Sequence, residues 1–168
     1  MSQHITRRRA LCSLIAFSLA GCSAVTTGGQ GGTFSSVKVD TSAINAAGYS
    51  QWAAVLVQAG TQEANRLFSS RLQRNAPRLV IRITKVSLNM YAGREGYGRR
   101  GGFSGGSSND YVEGEALVYD QRGRQINRVP LLSTLPSGRA GPWYASDNEA
   151  RRLDALARNA VQWFERKL

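Results

Sequence analysis

The chain has 168 residues, with 22 Lys and Arg against 11 Asp and Glu, and a net charge of +11. Its single histidine, His4, and its two cysteines, Cys12 and Cys22, all lie within the first 22 residues. Beyond residue 22 the composition excludes a Ser-His-Asp triad, a Cys-His pair, an internal disulfide and a His-ligated zinc or haem, so catalysis there would have to run on carboxylates, Tyr, Lys or a Ser-Lys pair.

At the start of the chain, Arg7-Arg8-Arg9 precede an apolar run from Ala10 to Leu19 and then Leu19-Ala20-Gly21-Cys22. A run of roughly ten residues has the length of a signal h-region and falls short of the ~20 needed to span a bilayer as a helix. The arginines suit the cytoplasmic membrane face, and Ala20 and Gly21 are small enough for a narrow peptidase site. Residues 1–22 resemble a bacterial lipoprotein signal with its lipobox. The resemblance implies cleavage between Gly21 and Cys22, diacylglycerol and a palmitate-type acyl chain on Cys22, and a cell-envelope protein facing the periplasm. Ser23 stands where enteric inner-membrane lipoproteins carry Asp, which points to the outer membrane. Thr6 to Leu11 half-match a twin-arginine export signal, but Ala10 replaces the usual large apolar residue, so general secretion is expected.

Loss of residues 1–21 would remove three arginines and no acid, leaving one domain-sized, basic polypeptide. Only Lys38, Lys85 and Lys167 among its cations are lysines. Arginine forks suit phosphate or carboxylate partners, although a solvated Arg-rich surface has the same composition. Residues 22–36, rich in Gly, Ser and Thr, read as the lipidated cysteine and a flexible tether. A single α+β domain is expected over 37–168.

Val37 to Val39 read as a short strand. Ser50 is a candidate helix cap, and Ala53, Leu56, Val57, Gly60, Ala64, Leu67 and Phe68 recur on one helical face. Arg71, Arg74 and Pro77 suit the end of that helix. Arg78 to Tyr91 read as a long strand that changes phase: Leu79, Ile81 and Ile83 share one parity and Val86, Leu88 and Met90 the other. A β-bulge near Thr84-Lys85 would place both sets on one face; two separate strands are the alternative. Asp110 to Tyr119 form the next strand, with Val112, Gly114, Ala116 and Val118 opposite Glu113 and Glu115. Asp120 to Gly123 are a tight turn, and Arg124 to Thr134 return as a third meander strand. Pro130 there requires an edge or a bulge. A Pro/Gly loop from Leu135 to Tyr144 leads to a last helix. Ser146-Asp147-Asn148-Glu149 have capping-box form, and Ala150, Leu153, Ala157, Ala160, Val161, Phe164 and Leu168 make the apolar stripe. Asp154 and Arg158 are an i, i+4 pair.

The order β-α-β-β-β-α predicts a two-layer α+β fold, with an antiparallel sheet of three to four strands and two amphipathic helices on one face. In layout, over about residues 37–168, it resembles LptE-type lipopolysaccharide-assembly lipoproteins and other small α+β envelope lipoproteins. No functional residue of that family carries over to a position here.

Three segments are candidate sites. Gly93 to Ser108 hold Arg94, Arg99 and Arg100 among glycines. Gly96 to Gly101 match G-x-G-x-x-G in form but do not open a helix, as a dinucleotide site requires. The RGG-like arginines with Tyr97 and Phe103 could serve nucleic acid, a role that export from the cytoplasm sets aside. The segment reads either as a plain hairpin loop or as an anion site for lipopolysaccharide, phospholipid headgroups or an acidic protein face. Glu113 and Glu115, with Asp110 nearby, read as a solvated strand face or as the carboxylates of a wall-glycan hydrolase. Trp143-Tyr144 read as a lid over the core, as a partner anchor or as aromatics at the membrane interface.

The sequence thus points to a non-enzymatic, membrane-anchored envelope lipoprotein that serves as adaptor or assembly partner of a membrane complex, with anion-binding module and hydrolase as alternatives. No metal and no cofactor beyond the Cys22 lipid is expected. Replacing Arg94, Arg99 and Arg100 together by Ser is expected to weaken pull-down by anionic liposomes or lipopolysaccharide, most strongly at low salt. Equal binding by both proteins would remove the anion-site reading of the loop.

Overall fold

The computed structural model describes residues 32–90, 108–142 and 144–168. Strand β1 (Ser36–Asp40) is followed by a short helix α1 (Ser42–Ala46) and a long helix α2 (Ser50–Phe68). Strands β2 (Arg78–Ser87), β3 (Asn109–Tyr119) and β4 (Gln125–Pro136) then lead to helix α3 (Asn148–Lys167). The sheet order is β1-β2-β3-β4. The expected α+β layout is present, with two differences. The sheet is mixed, because β1 pairs with β2 in parallel while β2, β3 and β4 form an antiparallel meander. The parallel pair follows from the α1–α2 crossover between β1 and β2, which returns the chain to the end of the sheet it left. The one-turn helix α1 carries too few residues for a periodic signal.

The phase change in β2 is a bulge. Ile83 pairs with Gly114 and Lys85 with Glu113, leaving Thr84 without a partner. Leu79, Ile81 and Ile83 before it and Val86 and Leu88 after it therefore all join the core. Gly114 answers the bulge from across the ladder, for a Cβ there would collide with the carbonyl oxygen of Arg82. Met90 lies past the strand end and is 92% exposed. The Asp120 turn forms as expected: its carboxylate accepts the N–H groups of Arg122 and Arg124, at 2.9 and 2.8 Å, and Gly123 takes φ 78°. Pro130 lies on the edge strand β4, as expected for a residue without a backbone donor.

Both long helices cover the same face. Each begins at the end of the sheet where β1 stops and runs toward the end where β2 starts, so α2 and α3 lie side by side and parallel. Contacts along them keep this order: Trp52 Nε1 donates to Glu149 Oε1 (2.8 Å) near the helix starts, Arg158 Nη2 to Gln62 Oε1 (3.0 Å) further along, and Arg71 pairs with Glu165 (3.8 Å) at their ends. Buried residues from all four strands and all three helices make one apolar cluster.

The stripes depart from expectation in detail. In α2, Val57 is 37% exposed, while Ala59 and Glu63 are buried. In α3, Ala150 is exposed and Leu156 and Arg152 are buried. Neither expected side-chain cap forms: α2 begins after Tyr49 and α3 after Asp147, without a side-chain cap hydrogen bond. The Asp147 carboxylate instead accepts from Arg151 Nη2 at 2.6 Å. The expected tether is also shorter. Phe34 is 3% exposed, packs edge-on against Phe68 with ring centroids 5.8 Å apart, and bridges to Leu72. An aromatic ring has enough apolar area to dock where the flanking Gly and Ser do not.

Glu63 is the charged group most enclosed between the helices. It is 3% exposed, accepts two bonds from Arg66 (2.6 and 3.0 Å) and one from Gln162 Nε2 (2.7 Å), and lies 3.5 Å from Arg158 Nη1. The bonds from Arg66, joined by that from Gln162 and the two nearby guanidinium charges, hold its carboxyl at about 2, against an ordinary 4.5. A depressed carboxyl stabilises the fold above its unfolded pKa and loses that contribution as pH falls through the folded one. Glu63→Gln is expected to cost on the order of 2 kcal/mol at pH 7. In urea titrations the gap between the two proteins should close between pH 4.5 and about 2. A gap that stays constant over that window would refute the assignment.

Candidate functional site

The helices cover one face of the sheet and leave the other open among the described residues. Strand alternation puts Asp40 of β1, Arg82 and Lys85 of β2, Tyr111, Glu113 and Glu115 of β3, and Arg128 and Leu132 of β4 on the open face. A ladder of charges crosses all four strands there. Arg82 pairs with Asp40 (3.2 Å) and Glu115 (3.1 Å), and Glu115 also accepts from Arg128 Nε (2.6 Å). Asp40 lies below the ordinary carboxylate range, chiefly because the Ser42 N–H donates to it, with help from Arg82. Lys85 and Glu113 pair at 3.3 Å nearby. Opposite charges on neighbouring strands favour this register.

Beside that second pair, Lys85, Ser87, Tyr111 and Glu113 line a cleft of about 220 Å³. Register places Leu132 opposite Glu113 and Thr134 opposite Tyr111. Tyr111 is 43% exposed and Leu132 67%. This part of the face offers an aromatic ring, an aliphatic side chain and one pair of opposite charges.

Glu113 and Glu115 do sit together on one face, as their spacing predicts. Both are engaged by cations, and Glu115 is held by two arginines. Asp110 does not join them. An even number of steps separates it from Val112 and Ala116, so it shares their covered face and is 2% exposed. It meets Arg152 of α3, itself 8% exposed. Arg152 Nε donates to Asp110 Oδ2 at 2.8 Å and Nη2 donates to Oδ1, while a further bond runs from Nη2 to the Asn89 carbonyl (2.8 Å). The Asn89 N–H completes the set by donating to Asp110 Oδ1 at 2.9 Å. The carboxylates thus form no pair facing a common cleft, and among the described residues no group of three or more His, Cys, Asp or Glu could hold a metal ion.

The Asp110–Arg152 pair and a second clamp fix the two strand ends that flank residues 91–107. In the second, Ser137, 1% exposed, donates its N–H (2.9 Å) and its hydroxyl (2.6 Å) to the Ser108 carbonyl. The candidate residues Arg94, Arg99 and Arg100 lie outside the described residues, as do Gly21, Cys22 and Trp143. Tyr144 is 76% exposed. Arg152 was readable in principle: it stands four residues before Leu156 and next to Leu153, inside the apolar stripe of α3, where a cation needs a partner.

No family model, no curated protein and no solved structure matches the chain.

Arg152→Ala would leave Asp110 buried and uncompensated, at an expected cost of about 3–5 kcal/mol in chemical denaturation. Replacing Asp110 by Leu and Arg152 by Met together should cost less than Arg152→Ala alone. A double replacement as costly as the two single ones added would show that the residues act independently.

Proposed function

We propose that the protein is a lipid-anchored adaptor of the bacterial cell envelope, held through Cys22 and working by protein–protein contact on the open face of its sheet. The observation that carries the anchor is Leu19-Ala20-Gly21-Cys22 after three arginines and a short apolar run, ahead of a domain without histidine or cysteine. The domain's own geometry supports contact rather than chemistry. The carboxylates on the open face, Asp40, Glu113 and Glu115, are tied to cations, and the exposed apolar groups Tyr111 and Leu132 flank a cleft on the face that no helix covers. On this reading the partner is another envelope protein, and the domain's rigidity comes from the α2–α3 layer behind the sheet. No helix among the described residues is long and apolar enough to cross a membrane, so on this reading the lipid supplies the membrane attachment.

Cys22→Ser is expected to abolish incorporation of labelled palmitate and to move the protein out of the membrane fraction. In the acylated protein, a photo-crosslinker at Tyr111 should join it to one discrete envelope protein, and Leu132→Asp should weaken that product at least tenfold. Unlabelled wild-type protein would overturn the anchor. Crosslinks unaffected by Leu132→Asp would overturn the use of this face.

A further inference from the structure

Among the described residues the two ends of the domain differ in charge, and the chain that leads from Cys22 joins at only one of them. Gly32 donates its N–H to the Leu168 carbonyl (3.0 Å) and accepts from Arg71 Nε (2.9 Å), so the chain enters beside the C-terminal ends of α2 and α3. The same end holds the start of β2 and the Asp120–Gly123 turn, because Arg78 pairs with both Ser36 and Tyr119. Arg71, Arg74 and Arg78 follow one another there, and Arg122 and Arg124 come from the turn. Arg166 and Lys167 close α3 beside them. Against these seven cationic side chains stand two acidic ones, and both are spoken for: Asp120 by Arg124 (2.8 Å) and Glu165 by Arg71. Toward the opposite end the described residues balance, with Asp40, Asp110, Glu113, Asp147 and Glu149 against Arg82, Lys85, Arg139, Arg151 and Arg152.

Part of the basic cluster has an internal cause. Two parallel helices end there, and cations complement the partial negative charge of their last carbonyls. That accounts for Arg71, Arg166 and Lys167. It does not account for Arg74, Arg78 and Arg122, which are exposed on a connecting segment, a strand start and a turn. Arg74 and Arg122 make no side-chain ion pair among the described residues. Exposed apolar surface lies in the same place, with Leu72 at 49% exposure and Lys167 Nζ over the half-buried Trp163 ring at 5.6 Å. Arginine, lysine, an indole and a leucine together suit the headgroup layer of a bilayer.

We propose that the Gly32 end of the domain is a docking surface for anionic phospholipid headgroups. It seats the protein on its own leaflet and turns the starts of α2 and α3, with the strand ends that flank residues 91–107, away from the membrane. The proposal rests on acylation of Cys22, which lies ten residues before Gly32 and so at most about 35 Å from it along the chain. Such a short reach keeps the local headgroup concentration high, so that a weak surface attraction suffices. Each cation near an anionic surface contributes roughly a fivefold factor to partitioning, and the attraction falls off within a Debye length of about 8 Å at physiological salt.

The test uses the acylated full protein, its acyl chain verified by mass spectrometry, reconstituted into vesicles of phosphatidylcholine alone or with phosphatidylglycerol. Because the chain lacks cysteine beyond residue 22, one fluorophore can be attached through Asn75→Cys at the Gly32 end or Ser146→Cys at the far end. Quenching by spin-labelled headgroups should be strong at position 75 in phosphatidylglycerol vesicles and weak in phosphatidylcholine alone. It should fade as salt is raised and be weak at position 146 throughout. Arg74→Ser, Arg122→Ser and Arg166→Ser together should reduce the seated-to-free ratio by roughly a hundredfold. Quenching at 75 that ignores lipid charge, or stronger quenching at 146, would overturn the docking surface. The salt titration on unaltered arginines decides the matter if the triple variant does not fold. Protein recovered without an acyl chain would fail the anchor instead, a result the mass spectrum separates from a failure of docking.

Discussion

One unpaired residue keeps the aliphatic groups of β2 on the covered face of the sheet along the whole strand. Side chains on a strand alternate with a period of two, so a ten-residue strand with a phase change in the middle would turn half of its aliphatic groups to water. Thr84 absorbs the change by standing outside the ladder, and the groups on both sides of it stay under the helices. The bulge needs room on the neighbouring strand, and Gly114 supplies it. This local arrangement has a global consequence. Only with a continuous apolar face can two helices of nineteen and twenty residues lie side by side on the sheet, and only then are Glu63 and Arg152 enclosed deeply enough to require their partners.

Much of this organisation is legible in the sequence, for reasons that differ by element. The strands declare themselves through alternation and β-branched residues, and the bulge through two runs of opposite parity. The long helices are marked by spacing. What periodicity does not contain is direction: nothing in Val37 to Val39 states that β1 will lie parallel to β2. The caps failed for a related reason. Ser50 and the Ser146 to Glu149 group have the right chemistry, but Glu149 is taken by Trp52 and Asp147 by Arg151, contacts of tertiary and side-chain origin that compete with capping. Asp110 illustrates the limit most clearly. Its parity matched the inward set, yet its proximity in sequence to Glu113 and Glu115 suggested a shared surface; the guanidinium that makes its burial possible comes from α3, 42 residues away.

The candidate sites divide along the same line. The carboxylates of β3 are where alternation places them, but their chemistry is set by neighbours on β2 and β4. Arg82 and Arg128 occupy Glu115 from either side, and Lys85 occupies Glu113. Each oxygen of Glu115 is taken by a different guanidinium, Oε1 by Arg82 and Oε2 by Arg128, so this carboxylate is built into the ladder that joins three strands. The same ion pairs align strands whose outer sides have no helix to guide them, and they keep an open face polar enough to remain in water.

That open face and the basic Gly32 end set two different directions on the molecule. The strands run between the domain's ends, whereas the open face looks sideways from them. A domain seated by its Gly32 end would therefore stand with its strands crossing the membrane–water boundary layer rather than lying along it. The cleft beside Tyr111 is formed where β2 finishes and β3 begins, at the far end from Gly32. Contact with lipid and contact with a protein partner would then engage separate surfaces. An anchored protein with this division can hold its leaflet and its partner at once, and neither contact would have to be released for the other to form.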